Sequence, residues 1–437
     1  MNNPPEASSV DQNLLIRGGR VVDPANGLDE TADLLLMNGV IRAVGRLDPP
    51  PDCAVLQADG LVVAPGLVDM HVHLREPGHE YKEDIASGTR AAAAGGVTSV
   101  AAMPNTQPVT DDLSVVGYIR ERARAVGRVR VFPVGAITRG LQGQVLTEMG
   151  LMVRAGCVAF SDDGRPLTDS GVMRRALEYA RMFGTLLIQH AEEPALAANG
   201  CMHEGVVSSR LGLAGIPAAA EAVMVDRDLR LVALTGGRYH VAHVSTRAAV
   251  QAVARAREER LPVSCEVTPH HFSLTDEAVL GYDTDTKMSP PLRDTGERNG
   301  LLEGLARGVI TVIATDHAPH DEESKQVEFC RAANGVIGLE TLLPVSLELV
   351  RDGVLTLSDC IAALTCNPAR LLGIPHGTLG VGCAADVVLF DPEESWTVDA
   401  RQLHSKSKNT CFHGRRVKGR VNRTWVAGRL VHGQGLA

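Results

Sequence analysis

The sequence predicts an α/β fold: a (β/α)8 barrel of the TIM type with a small β domain built from both ends of the chain. Three observations lead there. Eight apolar runs rich in Val, Ile and Ala are each followed by an Ala/Leu/Arg/Glu stretch with helical spacing, which is the pattern of repeated β-α units. The first and last stretches of the chain instead carry short strand patterns around tight-turn dipeptides. A length of 437 residues accommodates one large barrel and an appended small domain.

Taken in order, Leu14–Ile16 and Arg20–Val22 flank Gly18-Gly19, and Leu34–Met37 and Val40–Val44 flank Asn38-Gly39, which reads as strands joined by tight turns. The eight barrel strands follow at Leu67–His73, Val97–Met103, Val129–Ala136, Cys157–Ser161, Leu186–His190, His240–Ser245, Val263–Val267 and Val309–Thr315. Strand patterns return at Asp386–Phe390, Val417–Val421, Thr424–Val426 and Arg429–Val431, the last two around Ala427-Gly428. Each terminal fragment is too small to be stable alone, so the two are expected to pack into one unit. The expected division is residues 1–65 and 376–437 for the composite β domain and 66–375 for the barrel.

Composition removes several classes of function. Aromatic residues make up 3% of the chain, too few for base-stacking surfaces. A net charge of -9 gives no general attraction to nucleic acid or anionic lipid. There is no apolar run of membrane-spanning length, and the start MNNPPEASSVDQN lacks a basic segment followed by an apolar one, so a cytoplasmic protein is expected. Nine cysteines without a Cys-x-x-Cys pair indicate neither a disulfide framework nor a thiolate zinc site. Small molecules and proteins are the expected partners.

The active site of such a barrel lies at the C-terminal ends of its strands. Strand one ends Asp69-Met70-His71-Val72-His73, where alternation turns both histidines the same way. Strand four ends Ser161-Asp162-Asp163, strand five in His190, strand six runs through His243, and strand eight ends Thr315-Asp316-His317. A single such residue is most simply a capping Asp or a hydrogen-bonded core His. Five strands ending in His or Asp on one face bring together the nitrogen and oxygen ligands that zinc accepts, and point to a metal site.

This constellation resembles the amidohydrolase superfamily, in which one or two divalent metals activate a hydroxide. Many members bridge two metals with a carbamylated lysine from strand four, but this chain has no lysine between Lys82 and Lys287. A carboxylate of Asp162-Asp163 has to take that place. The resemblance narrows to the type I dihydroorotases on DMHVHLREPG (69–78), MPNTQP (103–108), FSDDG (160–164), QHAE (189–192), VAHVST (241–246), TPHH (268–271), DHAPH (316–320), GLET (338–341) and SKSKNT (405–410).

The resemblance implies that His71, His73, His190 and His243 bind zinc, one or two ions with two favoured. It also implies that Asp163 bridges, with Asp162 the near alternative, and that Asp316 is both ligand and general acid/base. It places Arg75, Asn105 and His320 against the substrate, with Ser289 at a position where many relatives carry Asn. The implied reaction is reversible cyclisation of N-carbamoyl-L-aspartate to L-dihydroorotate in pyrimidine biosynthesis. An Arg fork suits such a small anionic substrate. A homo-oligomer and aspartate carbamoyltransferase are the implied protein partners. Two other readings are an allantoinase or dihydropyrimidinase-like enzyme, against which the missing lysine counts, and an inert scaffold for aspartate carbamoyltransferase, against which the complete ligand set counts.

Overall fold

The structure, a computed structural model, describes residues 13–433. The segment read above for a leader, residues 1–12, and the last four residues of the C-terminal segment lie outside the described residues.

Eight parallel strands run hydrogen-bonded in chain order: Leu67–Val72, Val97–Ala102, Arg130–Gly135, Ala159–Ser161, Leu186–Gln189, Arg238–Val241, Val263–Val267 and Val312–Ile313. The circle closes where Val72 bridges His317 and the His73 N–H donates to the His317 carbonyl at 2.8 Å. Each apolar run became one strand. Their interior is filled by Val68, Met70, Ala101, Phe132, Val134, Ala159, Ile188, Ala242, Val312 and Ala314, a packed core rather than a channel. Other strand residues, such as Leu67, Val100, Leu187 and Val241, pack outward with the surrounding helices. Several of those helices start on the residue their chemistry favours. The side chains of Asp84, Asp112, Asp169, Thr246 and Asp294 each accept a backbone N–H of the first turn, satisfying donors that the helix itself cannot.

The seventh strand keeps its expected bounds, four others shift by one residue at one or both ends and the fourth starts two residues late; the sixth and eighth depart furthest. The sixth begins at Arg238 and stops at Val241, so His243 stands beyond the strand in a left-handed backbone conformation (φ 32°). The eighth keeps only Val312–Ile313, although pairing resumes at His317, just past Asp316 (φ 47°). Strand one carries a register shift between Asp69 and Val72. The shift lets Met70 fill the interior while His71 and His73 still enter the mouth.

The two ends of the chain form one sheet. Leu14–Asp23, Leu28–Met37, Val40–Gly45, Ala54–Gln57 and Val62–Pro65 join Val387–Thr397, Arg416–Val426 and Arg429–Gly433. The seam is the antiparallel pairing of Val62–Pro65 with Val387–Phe390, over a shared core of Ile16, Val21, Leu34, Leu36, Val63, Val387, Leu389 and Trp425. Asn38-Gly39 and Ala427-Gly428 are hairpin turns with both residues at positive φ, as expected. Gly18-Gly19 is not a turn. Leu14–Asp23 is one continuous strand, and Gly18 (φ 74°) is absorbed in a bulge between Ile16 and Gly19. Val417–Val421 and Thr424–Val426 are likewise one strand.

A buried ion pair ties barrel to sheet. Arg130 Nη1, on the third barrel strand, donates to both oxygens of Asp386 at 2.7 and 2.8 Å, and Asp386 also accepts the Ala427 N–H. Burial opposes ionisation of Asp386, but His376 and Arg130 outweigh it and hold the carboxyl below its usual range. The stability this supplies is present above the unfolded carboxylate value near 4 and is lost as pH falls through the folded one. Arg130→Met is expected to cost about 3 kcal/mol by leaving the buried Asp386 carboxylate with only His376 and the Ala427 N–H, read as a lower urea midpoint with unchanged metal content.

Candidate metal centre

The six side chains read as metal-ligating all lie at the mouth of the barrel, and all are buried. They form three overlapping groups, two of which share the Asp163 carboxylate. On one side His71 Nε2 is 3.4 Å from both Asp163 Oδ1 and Asp316 Oδ1. His73 Nε2 is 3.3 Å from Asp163 Oδ2 and 3.0 Å from Asp316 Oδ1. On the other side His190 Nδ1 and His243 Nε2 are 3.0 Å apart and lie 3.9 and 3.7 Å from Asp163 Oδ1. Ligand atoms about 2.1 Å from a tetrahedral zinc are separated by roughly 3.4 Å, so these spacings suit an ion on each side of Asp163. Two atoms argue further that the cluster is built for a cation. His71 Nε2 and Asp163 Oδ1 are buried and make no hydrogen bond, a costly arrangement for groups aimed at each other across a gap.

The electrostatics agree. Burial works against a charged His71, yet Asp163, Asp316 and Glu266 outweigh it and raise the imidazole well above its usual value. Burial likewise opposes ionisation of Asp163 and Asp316, and the surrounding histidines hold both well below the usual carboxylate range. The mouth therefore draws positive charge. His190 differs: burial and then His243 push it down to about 4, leaving a neutral imidazole with a lone pair to give.

The pair Asp162-Asp163 is divided by its surroundings. Asp162 faces away, accepting the Thr138 N–H at 2.9 Å and the Thr138 hydroxyl, while Asp163 faces the four histidines. The candidate substrate residues sit higher, each only half-buried. Arg75 (φ 60°) donates from Nε to the Pro319 carbonyl at 3.1 Å, with Nη2 3.4 Å from His320 Nε2. Burial lowers the guanidinium to about 10, which still leaves it charged at neutral pH. Burial, with Arg75 and Lys82 adding to it, pushes His320 down to about 2, so His320 is neutral. Asn105 Oδ1 accepts from His73 Nδ1 at 2.8 Å and thereby orients that ring, a contact its sequence position did not announce. Ser289 Oγ is 3.5 Å from His190 Nε2.

Two residues behind the cluster escaped the sequence reading. Glu266, wholly buried on the seventh strand, accepts from His71 Nδ1 at 2.6 Å and lies 3.3 Å from His240 Nε2. Burial favours its neutral form, but His71 and His240 bring it down to about 2, so a carboxylate holds the ring with Nε2 aimed at the site. Asp69 accepts the His71 N–H and both the N–H and hydroxyl of Thr315, joining strand one to strand eight. A charged residue inside an apolar strand pattern was the available signal for Glu266, but its partner is 195 positions away. Three of the residues at the mouth, Arg75, His243 and Asp316, hold positive φ without being glycine, strain of the kind that functional sites retain.

Comparison with known proteins follows the same lines. A family model described as dihydro-orotase-like matches residues 60–249, and one described as amidohydrolase family matches 305–432. A dihydroorotase of Geobacter metallireducens is 53% identical over 421 residues, covering 96% of this chain and 99% of its own. A dihydroorotase of Anaeromyxobacter sp. (strain K) is 54% identical over 427 residues, covering 97% and 99%. The chain belongs to the dihydroorotase family. Among solved structures it is similar to the L-hydantoinase (dihydropyrimidinase) of Arthrobacter aurescens, with TM-score 0.88, 27% identity and 97% of both chains covered. The dihydropyrimidinase of Brevibacillus agri follows at TM-score 0.84 and 25% identity, covering 96% of this chain and 95% of that one. Family membership and the His/Asp groups together make this a metal-dependent enzyme of the cyclic-amide hydrolase type. No helix among the described residues is long and apolar enough to cross a membrane.

Proposed function

We propose that this protein catalyses the reversible cyclisation of N-carbamoyl-L-aspartate to L-dihydroorotate, with two zinc ions per subunit and residues 66–375 as the catalytic unit. The observation that carries the reading is a charged Arg75 at the rim of a doubled His/Asp cluster, which suits a cyclic amide bearing a carboxylate. His71, His73 and Asp316 would hold one ion, His190 and His243 the other, and Asp163 both. Zinc in such a place supplies Lewis acidity that polarises a carbonyl and makes water a nucleophile at neutral pH.

The residues of the chain do the rest. Arg75 and the Asn105 amide anchor the substrate carboxylate, and the neutral His320 beside Arg75 offers a further polar contact without repelling the guanidinium. In hydrolysis Asp316 accepts the proton of the attacking water and delivers it to the departing ring nitrogen. In cyclisation it returns the proton along the same path. Glu266 keeps His71, and Asn105 keeps His73, in the ring orientation the site requires.

Turnover of L-dihydroorotate by the purified protein, with metal content measured on the same sample, tests the reading. Activity lost on chelation and restored by zinc is expected, with allantoin and dihydrouracil untouched. Turnover of those two substrates but not of dihydroorotate would transfer the protein to the hydantoinase-like enzymes it resembles in fold. Arg75→Ala is expected to raise KM for dihydroorotate by about 100-fold with a smaller change in kcat, since a charge-assisted bidentate contact of roughly 2–3 kcal/mol is lost from substrate and transition state alike. A homo-oligomer that associates with aspartate carbamoyltransferase belongs to the same proposal, and co-elution of the two proteins at micromolar concentration is its test.

A further inference from the structure

Cys201 and Cys330 are 129 positions apart in the chain, yet their sulfurs lie 2.8 Å from each other, inside ordinary van der Waals contact. Cys201 belongs to the loop after the fifth barrel strand and Cys330 to the short turn Phe329–Arg331 after the eighth. Both loops therefore rise from the catalytic face of the barrel. Cys201 is buried with Met202, Val279 and Phe329 in a small apolar cluster that joins these loops to the one after strand seven, whereas Cys330 is exposed. The ammonium of Lys287 donates to the carbonyls of Cys330 (2.9 Å) and Ala332 (2.7 Å), which places a positive charge beside the sulfurs.

The same few residues reach the substrate pocket. The Lys287 carbonyl accepts the Gly335 N–H at 2.9 Å, and Ser289, two positions on, lies beside His190. The Asn334 carbonyl is 2.8 Å from His320 Nε2, which in turn neighbours Arg75. A constraint on Cys330 is thus a constraint on the segment that positions His320.

We propose that Cys201 and Cys330 form a reversible disulfide when the protein meets a hydroperoxide, cross-linking the loops after strands five and eight and slowing turnover. The exposed Cys330 attacks first. Its sulfur takes one peroxide oxygen to become a sulfenic acid, and the other oxygen leaves as water. The Cys201 sulfur then displaces the sulfenic oxygen as a second water. Two thiols and one hydrogen peroxide give one disulfide and two waters. Cys201 is buried and cannot meet the oxidant first, but its sulfur lies 2.8 Å from that of Cys330, in place for the second step.

The full-length protein treated with hydrogen peroxide, alkylated, and digested without reduction gives the answer. A peptide joining Cys201 to Cys330 is expected, together with loss of two hydrogen masses from the intact protein and reversal by dithiothreitol. C201S and C330S each remove it. Oxidation of Cys330 to sulfinic acid with Cys201 left as thiol overturns the proposal. Turnover of the oxidised protein is expected to fall by about tenfold, part of the 100-fold that a misplacement of about 1 Å can cost. Neither serine variant should show that loss. A cross-linked protein that turns over at the reduced rate overturns the control of the site. The turnover arm rests on the dihydroorotase reading and the mass arm does not, so an inactive reduced protein that still cross-links marks failure of that reading alone.

Discussion

Asp316→Asn is expected to lower kcat for L-dihydroorotate by about 10³- to 10⁴-fold, with KM little changed and bound metal retained. Asparagine has the same shape and still presents an oxygen where Asp316 Oδ1 lies 3.0 Å from His73 and 3.4 Å from His71. An amide oxygen has almost no basicity, so it can help hold an ion but cannot carry a proton. The neighbouring carboxylates are committed elsewhere: Asp163 is shared among four histidines, Asp162 is bound to Thr138, and Glu266 is behind His71. Steady-state kinetics with metal analysis on the same preparation reads the effect. A variant that keeps its metal and turns over within tenfold of the parent would place the proton carrier elsewhere.

Asp163→Ala should strip metal from the protein and reduce turnover by at least about 100-fold, more than the loss of a residue that only orients a ligand. Its carboxylate lies within 4 Å of all four histidines, reaching His71 and His73 on one side and His190 and His243 on the other. Removing it leaves Asp316 as the one carboxylate of the candidate ligand set, with Glu266 held behind His71, so too little negative charge faces the site to hold two cations. Asp162→Ala is the control next door. It loses hydrogen bonds to Thr138 and about 1–3 kcal/mol of stability, while metal content stays at the parental level. Equal metal loss in both variants would show that the two carboxylates share the role.

His71, His73, the pair Asp162-Asp163, His190, His243 and Asp316 stand out in the amino-acid sequence because β-strands in a parallel barrel are short apolar runs, and a polar residue at the end of such a run is a local feature of the chain. The composite β sheet is legible for a related reason. Both ends of the chain carry strand patterns without the apolar surface to stand alone, which leaves their mutual pairing as the economical solution.

Local pattern misleads where backbone conformation is settled by neighbours. Gly18-Gly19 has the composition of a turn, but continuous pairing of Leu14–Asp23 with Leu28–Met37 makes it a bulge. Alternation alone would also send Met70 and His71 to opposite faces, and a register shift in strand one allows Met70 to fill the barrel while His71 serves the mouth.

Sequence alone thus determined which residue types stand at the strand ends, and hence the nitrogen-and-oxygen donor set, because periodicity and strand length act over a few neighbouring residues. Tertiary structure decided which of two adjacent aspartates faces the histidines, that Glu266 and Asn105 orient His71 and His73, and that Cys201 meets Cys330. Each of those outcomes joins groups distant in the chain, and only closure of the barrel, which buries them together, makes their hydrogen bonds and charges act on one another.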